Sequence, residues 1–195
     1  MNLWWLQVWT HAHVGYYGNK EKRCNCKPDQ IKKYINKISG PLLDRIDIHI
    51  EVNPIKYKQL EKNENIESSK EIRNRVNKAR KIQYERYEKY HIFSNSQLTP
   101  KLIEKFCVLD KESKHMLKSA FDNLGLSARA YNRILKVART IADLDDCENI
   151  QKQHLAEAIQ YRSLDRKYWN NKLWILSYNN LQIQYYNFEK ITNWE

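Results

Sequence analysis

Residues 127–144 read Ser-Ala-Arg-Ala-Tyr-Asn-Arg-Ile-Leu-Lys-Val-Ala-Arg-Thr-Ile-Ala-Asp-Leu, and their apolar members recur every three or four positions. That spacing is typical of a helix with one face packed on a core. Ser127 stands where an N-cap residue is expected, and Gly125 stands where the preceding helix would end. The stretch therefore predicts an amphipathic helix that buries Tyr131, Ile134, Leu135, Ala138, Ile141 and Ala142.

Further helices are expected on both sides of this stretch. Ser68 and Glu71 have the spacing of a capping box, which predicts a helix that starts there and ends near Tyr87. The other predicted helices begin near Pro100, Asp110 and Gln151, and the last one ends near Tyr161. Short loops join all of these helices, so the sequence predicts a mainly α fold built as a helical bundle.

A different pattern precedes the bundle. From Ile46 to Val52, apolar and polar residues alternate, which predicts a half-buried strand that Pro54 ends. Residues 53–67 are polar and charged, and we interpret them as a linker. The chain thus changes from a strand and loop to a helical domain near residue 68.

The charge balance favours a polyanionic partner. Lys and Arg number 34 against 23 acidic residues, a formal net charge of +11, which favours contact with nucleic acid over a merely solvated basic surface. No apolar run approaches the ~20 residues of a membrane helix, and the N-terminus lacks the features of a signal peptide, so we expect no membrane contact and a cytoplasmic protein. The four cysteines are scattered, which argues against a disulfide framework.

Three segments carry a resemblance to a known family. They are Gly15-Tyr-Tyr-Gly18 with Cys24-Asn-Cys26, then Gly40-Pro-Leu-Leu-Asp-Arg45, and finally Leu126-Ser-Ala-Arg129 with residues 160–166. Together they resemble the C-terminal part of Mg-chelatase-like AAA+ ATPases of the ComM/YifB type, over roughly residues 15–169. The resemblance implies a helical lid domain at 68–166, preceded by a strand-and-loop remnant of the α/β ATPase core at 15–52, with atypical segments at 1–14 and 167–195.

The resemblance also implies roles for two arginines. Arg45 matches the arginine finger, which reaches the γ-phosphate of ATP in the neighbouring subunit. Arg129 matches the sensor 2 arginine, which contacts the nucleotide of its own subunit. A guanidinium suits both tasks because it stays charged and presents a planar fork to phosphate oxygens. The alternative for each is a surface arginine in an ion pair.

The parts that hold the nucleotide are not found in these 195 residues. No Gly-x-x-x-x-Gly-Lys-Ser/Thr stretch occurs, and no hydrophobic strand ends in a Walker B acidic pair. We therefore expect ATP and Mg²⁺ to act in the parent protein and not to bind tightly to this chain. Whether the chain alone is an enzyme stays open, and we expect it to be inactive by itself.

The resemblance breaks at the N-terminus. The family continues upstream of Gly15 with a strand and Met-Asn-Pro-Cys-Pro-Cys-Gly, whereas this chain reads Thr10-His-Ala-His-Val14. Regrouping the codons of this stretch by one base permits Asp-Pro-Cys-Pro-Cys, so we hypothesise a frame shift just before Gly15. The genomic DNA decides the matter, because codons there that cannot restore Pro-Cys-Pro-Cys would contradict the hypothesis.

That break bears on a possible zinc site. Two Cys-x-Cys pairs in the family could supply four thiolates, but only Cys24 and Cys26 remain here, and two thiolates do not complete a tetrahedral site. His11 and His13 are the candidates to replace the lost pair. The alternative is that Cys24 and Cys26 are two exposed thiols.

One predicted helix is strongly basic, and it completes the functional hypothesis. Its arginines are candidates for contact with DNA phosphates, the alternative being a solvated face: Arg73, Arg75, Arg80 and Arg86. The resemblance implies that the parent is a hexameric homo-oligomer that uses ATP to act on DNA, in branch migration during recombination or competence. Two alternatives remain: the motor subunit of a magnesium chelatase, and a non-catalytic helical module that binds DNA or a partner.

Overall fold

A computed structural model of the chain describes residues 24–37, 39–43, 45–50, 67–124 and 126–162. Within these ranges the protein is helical and contains no strand, which confirms the mainly α prediction. The frame-shift segment 1–14, residues 51–66, the tail 167–195 and Gly125 lie outside the described residues. The helices are α1 (Pro28–Ile35), α2 (Gly40–Leu43), α3 (Ser69–Tyr87), α4 (Pro100–Phe106), α5 (Lys111–Leu124), α6 (Ala128–Leu144) and α7 (Lys152–Gln160).

Helix α6 is the centre of the bundle and packs against α3, α4 and α7. It begins as expected, because the Ser127 hydroxyl accepts a hydrogen bond from the Ala130 amide at 3.1 Å. Its predicted apolar face is buried except for Tyr131, which is 40% exposed. Burial of each large apolar side chain on this face contributes about 1.5–3 kcal/mol. The buried residues of that face are Ala130, Ile134, Leu135, Ala138, Ile141 and Ala142.

Helix α3 begins with the predicted capping box. The Ser68 amide donates to a Glu71 carboxylate oxygen at 2.7 Å, and the Glu71 amide donates to the Ser68 hydroxyl at 3.4 Å. The Ser68 amide and the Ser68 hydroxyl both donate to the Glu71 carboxylate and lower the pKa of this carboxyl below its ordinary value. The start of α3 is therefore fixed by local chemistry and needs no support from the core.

The two halves of α3 differ in burial. The C-terminal half buries Ala79, Gln83 and Tyr87, as the bundle requires. In the N-terminal half, Val76 is 42% exposed and Ile72 is half-buried. About half of α3 thus lies along the outside of the domain.

A buried carboxylate joins α3 to α6. Asp143, which is 2% exposed, accepts two hydrogen bonds from the Arg86 guanidinium, at 2.6 and 3.1 Å. It accepts a third from Arg139 Nε at 3.1 Å and a fourth from Asn95 Nδ2 at 2.8 Å. Burial opposes the charge of Arg86, but its interactions with Asp143 and Tyr87 together outweigh that effect and raise the pKa of the guanidinium. We call these four residues the Asp143 network.

Two members of the Asp143 network extend it to other parts of the domain. The Tyr87 hydroxyl donates to Asn95 Oδ1 at 2.6 Å, which fixes the 3-10 turn Asn95–Gln97 against α3. The remaining nitrogens of Arg139 donate to the carbonyl oxygens of Cys147 at 2.6 Å and Glu148 at 2.7 Å. Asp143 therefore links α3, the turn, α6 and the loop that leads to α7.

Residues 46–50 differ from the sequence prediction, because they form no strand. The alternation of this segment suits a strand, but a strand needs a neighbour to complete its hydrogen bonds, and the described part of the chain supplies none. The segment docks on the end of α7 instead. The His49 amide donates to the Tyr161 carbonyl oxygen at 2.9 Å, and the buried Arg162 guanidinium donates to the Ile46 carbonyl oxygen.

None of the helices in the described ranges combines the length and the apolar character that crossing a bilayer requires.

The Asp143 network predicts a large effect of a conservative substitution. Asp143→Asn leaves the buried Arg139 and the partly buried Arg86 without a carboxylate, so the free energy of unfolding should fall by about 3–5 kcal/mol in a denaturant titration. The matched control is Asp146→Asn, which removes only the exposed ion pair with Lys78 and should cost about 1 kcal/mol or less. Equal losses in the two variants would contradict the structural role of Asp143.

The docking of residues 46–50 predicts a local effect on amide exchange. Arg162→Met keeps much of the volume but removes the donor to Ile46, so the His49 amide should exchange roughly fivefold faster or more, as expected for a lost hydrogen bond of ~1 kcal/mol or more. The amides of α6 should keep their protection. Arg133→Met, which breaks an exposed ion pair with Asp47, should change His49 less. An unchanged His49 rate in Arg162→Met would refute this docking.

Candidate functional site

Arg45 lies just after α2, at the start of the docked segment. Its amide donates to the Leu42 carbonyl oxygen at 3.0 Å, which closes the turn after the helix. The side chain is exposed, and within the described part of the chain its guanidinium makes no hydrogen bond or ion pair. The next residue, Ile46, is held by Arg162. Arg45 therefore presents an unpaired cation from a fixed backbone.

Arg129 is the second residue of α6 and is exposed. The first turn of α6 contains no acidic residue, and the guanidinium has no partner among the residues that the structure describes. The N-terminus of a helix carries a partial positive charge, which adds to that of the arginine. This end of α6 therefore favours a negatively charged group such as a phosphate.

An ion pair joins the segments that carry these two arginines. Arg133, one helical turn beyond Arg129, pairs with Asp47, two residues beyond Arg45. The pair is partly exposed, with 30% of the arginine side chain and 57% of the aspartate side chain accessible. The ion pair connects the N-terminal part of α6 to the segment that carries Arg45. Two exposed guanidiniums on connected segments are chemically suited to phosphate oxygens.

The four candidate arginines of the basic helix α3 differ in whether a carboxylate already binds them. Arg73 and Arg80 are exposed and have no ionic partner in the described ranges. Arg75 instead donates two hydrogen bonds to the Glu67 carboxylate, at 2.8 and 3.1 Å. Arg86 belongs to the Asp143 network and is only 17% exposed. Two of the four candidate DNA contacts are thus free to meet a phosphate.

Cys24 and Cys26 are half-buried free thiols that precede α1. No group of three or more His, Cys, Asp or Glu side chains is close enough to hold a metal ion within the described residues, and His11 and His13 lie outside them. The zinc half-site stays a prediction. Burial raises the pKa of the Cys107 thiol to about 11, which disfavours the reactive thiolate form of this cysteine.

Sequence reasoning missed the contacts that hold the segments of Arg45 and Arg129 in place. Arg139 and Asp143 have the i, i+4 spacing of a helical ion pair, so this contact was available as a local signal. Asp47 with Arg133 and Ile46 with Arg162 are 86 and 116 residues apart, and no local pattern indicates such contacts.

Comparison with known proteins relates the chain to a known family. The family model described as magnesium chelatase, subunit ChlI C-terminal, matches residues 66–162, and the model described as magnesium chelatase, subunit ChlI, matches residues 7–60. Competence protein ComM of Haemophilus influenzae is 43% identical over 154 residues, which is 78% of this chain and 29% of that protein. The uncharacterized YifB proteins of Salmonella typhimurium and Escherichia coli are both 40% identical, with the same coverage.

The chain thus spans 29% of the length of these relatives. Residues 66–162, which the first family model matches, include α3 to α7 and form the helical bundle described above. From the two family models, the identities and this bundle, we conclude that the chain belongs to the Mg-chelatase family, among proteins of the ComM/YifB type, and contains the C-terminal helical lid domain of that family.

Proposed function

We propose that this chain supplies the lid domain and the arginine finger of a hexameric, ATP-driven motor that acts on DNA. The observation that carries the proposal is the pair of exposed, unpaired guanidiniums of Arg45 and Arg129, on segments joined by the Asp47–Arg133 ion pair. Arg75 and Arg86, by contrast, are neutralised by carboxylates. Two cations without counter-ions are suited to phosphate groups that arrive with a nucleotide.

Each arginine has a separate role in this proposal. ATP with Mg²⁺ supplies the chemical free energy and binds to parts of the motor that the 195 residues do not contain. Arg45 points its charge at the phosphate of the neighbouring subunit, and Arg129 contacts the nucleotide of its own subunit. The Asp47–Arg133 ion pair couples the two, since a lid movement sensed at Arg129 changes the position of Arg45.

The DNA-acting role is supported by charge and by similarity. The chain has a formal net charge of +11, and Arg73 with Arg80 gives α3 two cations that no described residue neutralises. One of the most similar proteins is named a competence protein, which agrees with work on DNA. A magnesium chelatase motor subunit is the second candidate, because both family models carry that description and the same two arginines would serve it.

A chimeric motor tests the two arginines directly. Residues 15–162 of this chain replace the matching part of Haemophilus influenzae ComM, and DNA-dependent ATP hydrolysis is measured. Arg45→Ala should lower kcat by about 10³-fold or more, as expected for loss of an arginine finger. Lys101→Ala, at an exposed position of α4, is the matched control and should leave kcat unchanged. Full activity of the Arg45→Ala chimera would contradict the proposed finger.

Mixed rings separate a finger from a structural role. The Arg45→Ala chimera is combined with a chimera whose phosphate-binding loop is inactivated. If Arg45 acts on the neighbouring subunit, mixing restores part of the activity, because some interfaces then pair an intact loop with an intact finger. No recovery on mixing would count against action in trans.

The salt dependence of DNA binding tests α3. In the full chain, Arg73→Ala with Arg80→Ala should reduce the slope of log K against log salt concentration by about 1.8, since each lost contact with duplex phosphate removes about 0.9. Arg75→Ala is the control, because its guanidinium is already bound to Glu67. A branched duplex is the probe. An unchanged slope in the double variant would remove α3 from the DNA interface.

A further inference from the structure

Two aromatic side chains are held together on the outside of the domain. Tyr84 of α3 and Phe93 of the following loop stack with 6.2 Å between ring centroids and 15° between planes. They are 53% and 60% exposed, although phenylalanine in particular is usually buried. Because the rings are nearly parallel and largely accessible, the pair offers a flat aromatic surface to solvent.

The loop that carries Phe93 is anchored to the core. The Phe93 amide donates to Gln97 Oε1 at 2.7 Å, which fixes the backbone of this residue. Two residues later, Asn95 is buried and bonded to the Tyr87 hydroxyl and to Asp143. The chain therefore returns to the core just after Phe93 while the ring stays outside. The exposure of Phe93 is a consequence of how the loop is anchored.

Cations lie on the same face of α3 as this aromatic pair. Residues 73, 77, 80 and 84 are spaced at i, i+4, i+7 and i+11, so Arg73, Asn77, Arg80 and Tyr84 form one row on the helix surface. Arg80 is about 6 Å along the axis from Tyr84, and Arg73 is about 16 Å from it. All four are exposed. With Phe93, they form what we call the stacking stripe.

The acidic residues of this part of α3 do not neutralise the stacking stripe. Glu85 pairs with Lys81 at 3.9 Å and follows Tyr84 directly in sequence, so it lies on a different face of the helix. Glu88 lies one turn beyond Tyr84, at the end opposite the arginines. The arginine end of the stripe is therefore positive and its other end is aromatic.

We propose that the stacking stripe binds single-stranded nucleic acid, with an unpaired base on the Tyr84–Phe93 pair and neighbouring phosphates on Arg80 and Arg73. Aromatic side chains next to a basic track bind single strands in a sequence-tolerant way, because every base has a flat face. A base inside a duplex has both faces covered by its neighbours and is not available to such a surface. The proposal rests on the DNA-acting function proposed above, and it adds a site for unpaired bases.

The experiment compares two single strands that differ only in their bases. Fluorescence anisotropy measures binding of the full chain to a labelled oligothymidine of about 20 nucleotides and to an abasic strand of the same length. Tyr84→Ala with Phe93→Ala should weaken binding to oligothymidine roughly 5- to 150-fold, the range expected for loss of one stacked base. Binding to the abasic strand and its salt dependence should not change, because the phosphate contacts remain.

Two further variants control for general damage to the fold. Tyr84→Phe keeps the flat ring and should retain wild-type affinity for oligothymidine. Tyr131→Ala removes another exposed tyrosine, on α6 and outside the stripe, and should have no effect. Equal weakening of both strands by the Tyr84→Ala, Phe93→Ala variant would show that base stacking is not what was lost, and it would overturn the proposal.

The remaining outcomes distinguish this proposal from the function on which it rests. If the wild-type chain binds oligothymidine and the abasic strand equally, the stacking site is refuted while DNA binding through phosphates stands. If it binds neither strand but binds a branched duplex, the site for unpaired bases is refuted and the duplex interface stands. If it binds no DNA at all, the DNA interface of this chain fails together with the stripe.

Discussion

The domain depends on how it compensates one buried negative charge. A carboxylate taken out of water destabilises a fold unless cations and hydrogen-bond donors surround it. Asp143 meets this requirement with Arg86 from α3, Arg139 from its own helix and Asn95 from the 3-10 turn. Since the carboxylate is fully buried, losing any one donor leaves it incompletely compensated, and no water can take that donor's place. The requirement fixes where α3 and the turn lie on α6.

The contacts of Asp143 with α3 and α6 help to position both proposed binding surfaces. Arg86 fixes the C-terminal half of α3, and so determines the direction in which the exposed half carries Arg73 and Arg80. Arg139 lies on α6, ten residues beyond Arg129. Near its N-terminus, the same helix contacts the Arg45 segment through the ion pair of Arg133 with Asp47. The surface proposed for DNA and the arginines proposed for nucleotide are thus attached to one buried cluster.

Local patterns in the sequence predicted the parts of the fold that are determined locally. The stripe of α6 followed from helical periodicity, and the start of α3 followed from the spacing of Ser68 and Glu71, because both depend on residues within one or two turns. The strand expected at 46–52 was different, since alternation is local but a β ladder needs a distant neighbour. In the described residues 46–50 that neighbour is replaced by the end of α7.

In the candidate site too, local patterns indicated some residues, while contacts between distant segments determined others. Family resemblance drew attention to Arg45 and Arg129, and the structure shows that both are exposed. Composition did not separate Arg73 and Arg80 from Arg75 and Arg86, because what engages Arg86 is a carboxylate 57 residues away. The exposure of the Phe93 ring could not be predicted from the sequence either, since its position depends on the burial of Asn95. Contacts between distant segments decide which charged and aromatic residues remain available.

A double-mutant cycle on Arg86 and Asp143 measures how strongly the buried carboxylate holds α3 to α6. Unfolding free energies are measured for Arg86→Met, Asp143→Asn and the combined variant, with a parallel cycle on the exposed pair of Lys78 and Asp146. We expect a coupling free energy of about 2 kcal/mol or more between Arg86 and Asp143, within the range found for residues in one network. A coupling of about 0.2–1 kcal/mol, no larger than that of the exposed pair, would contradict it.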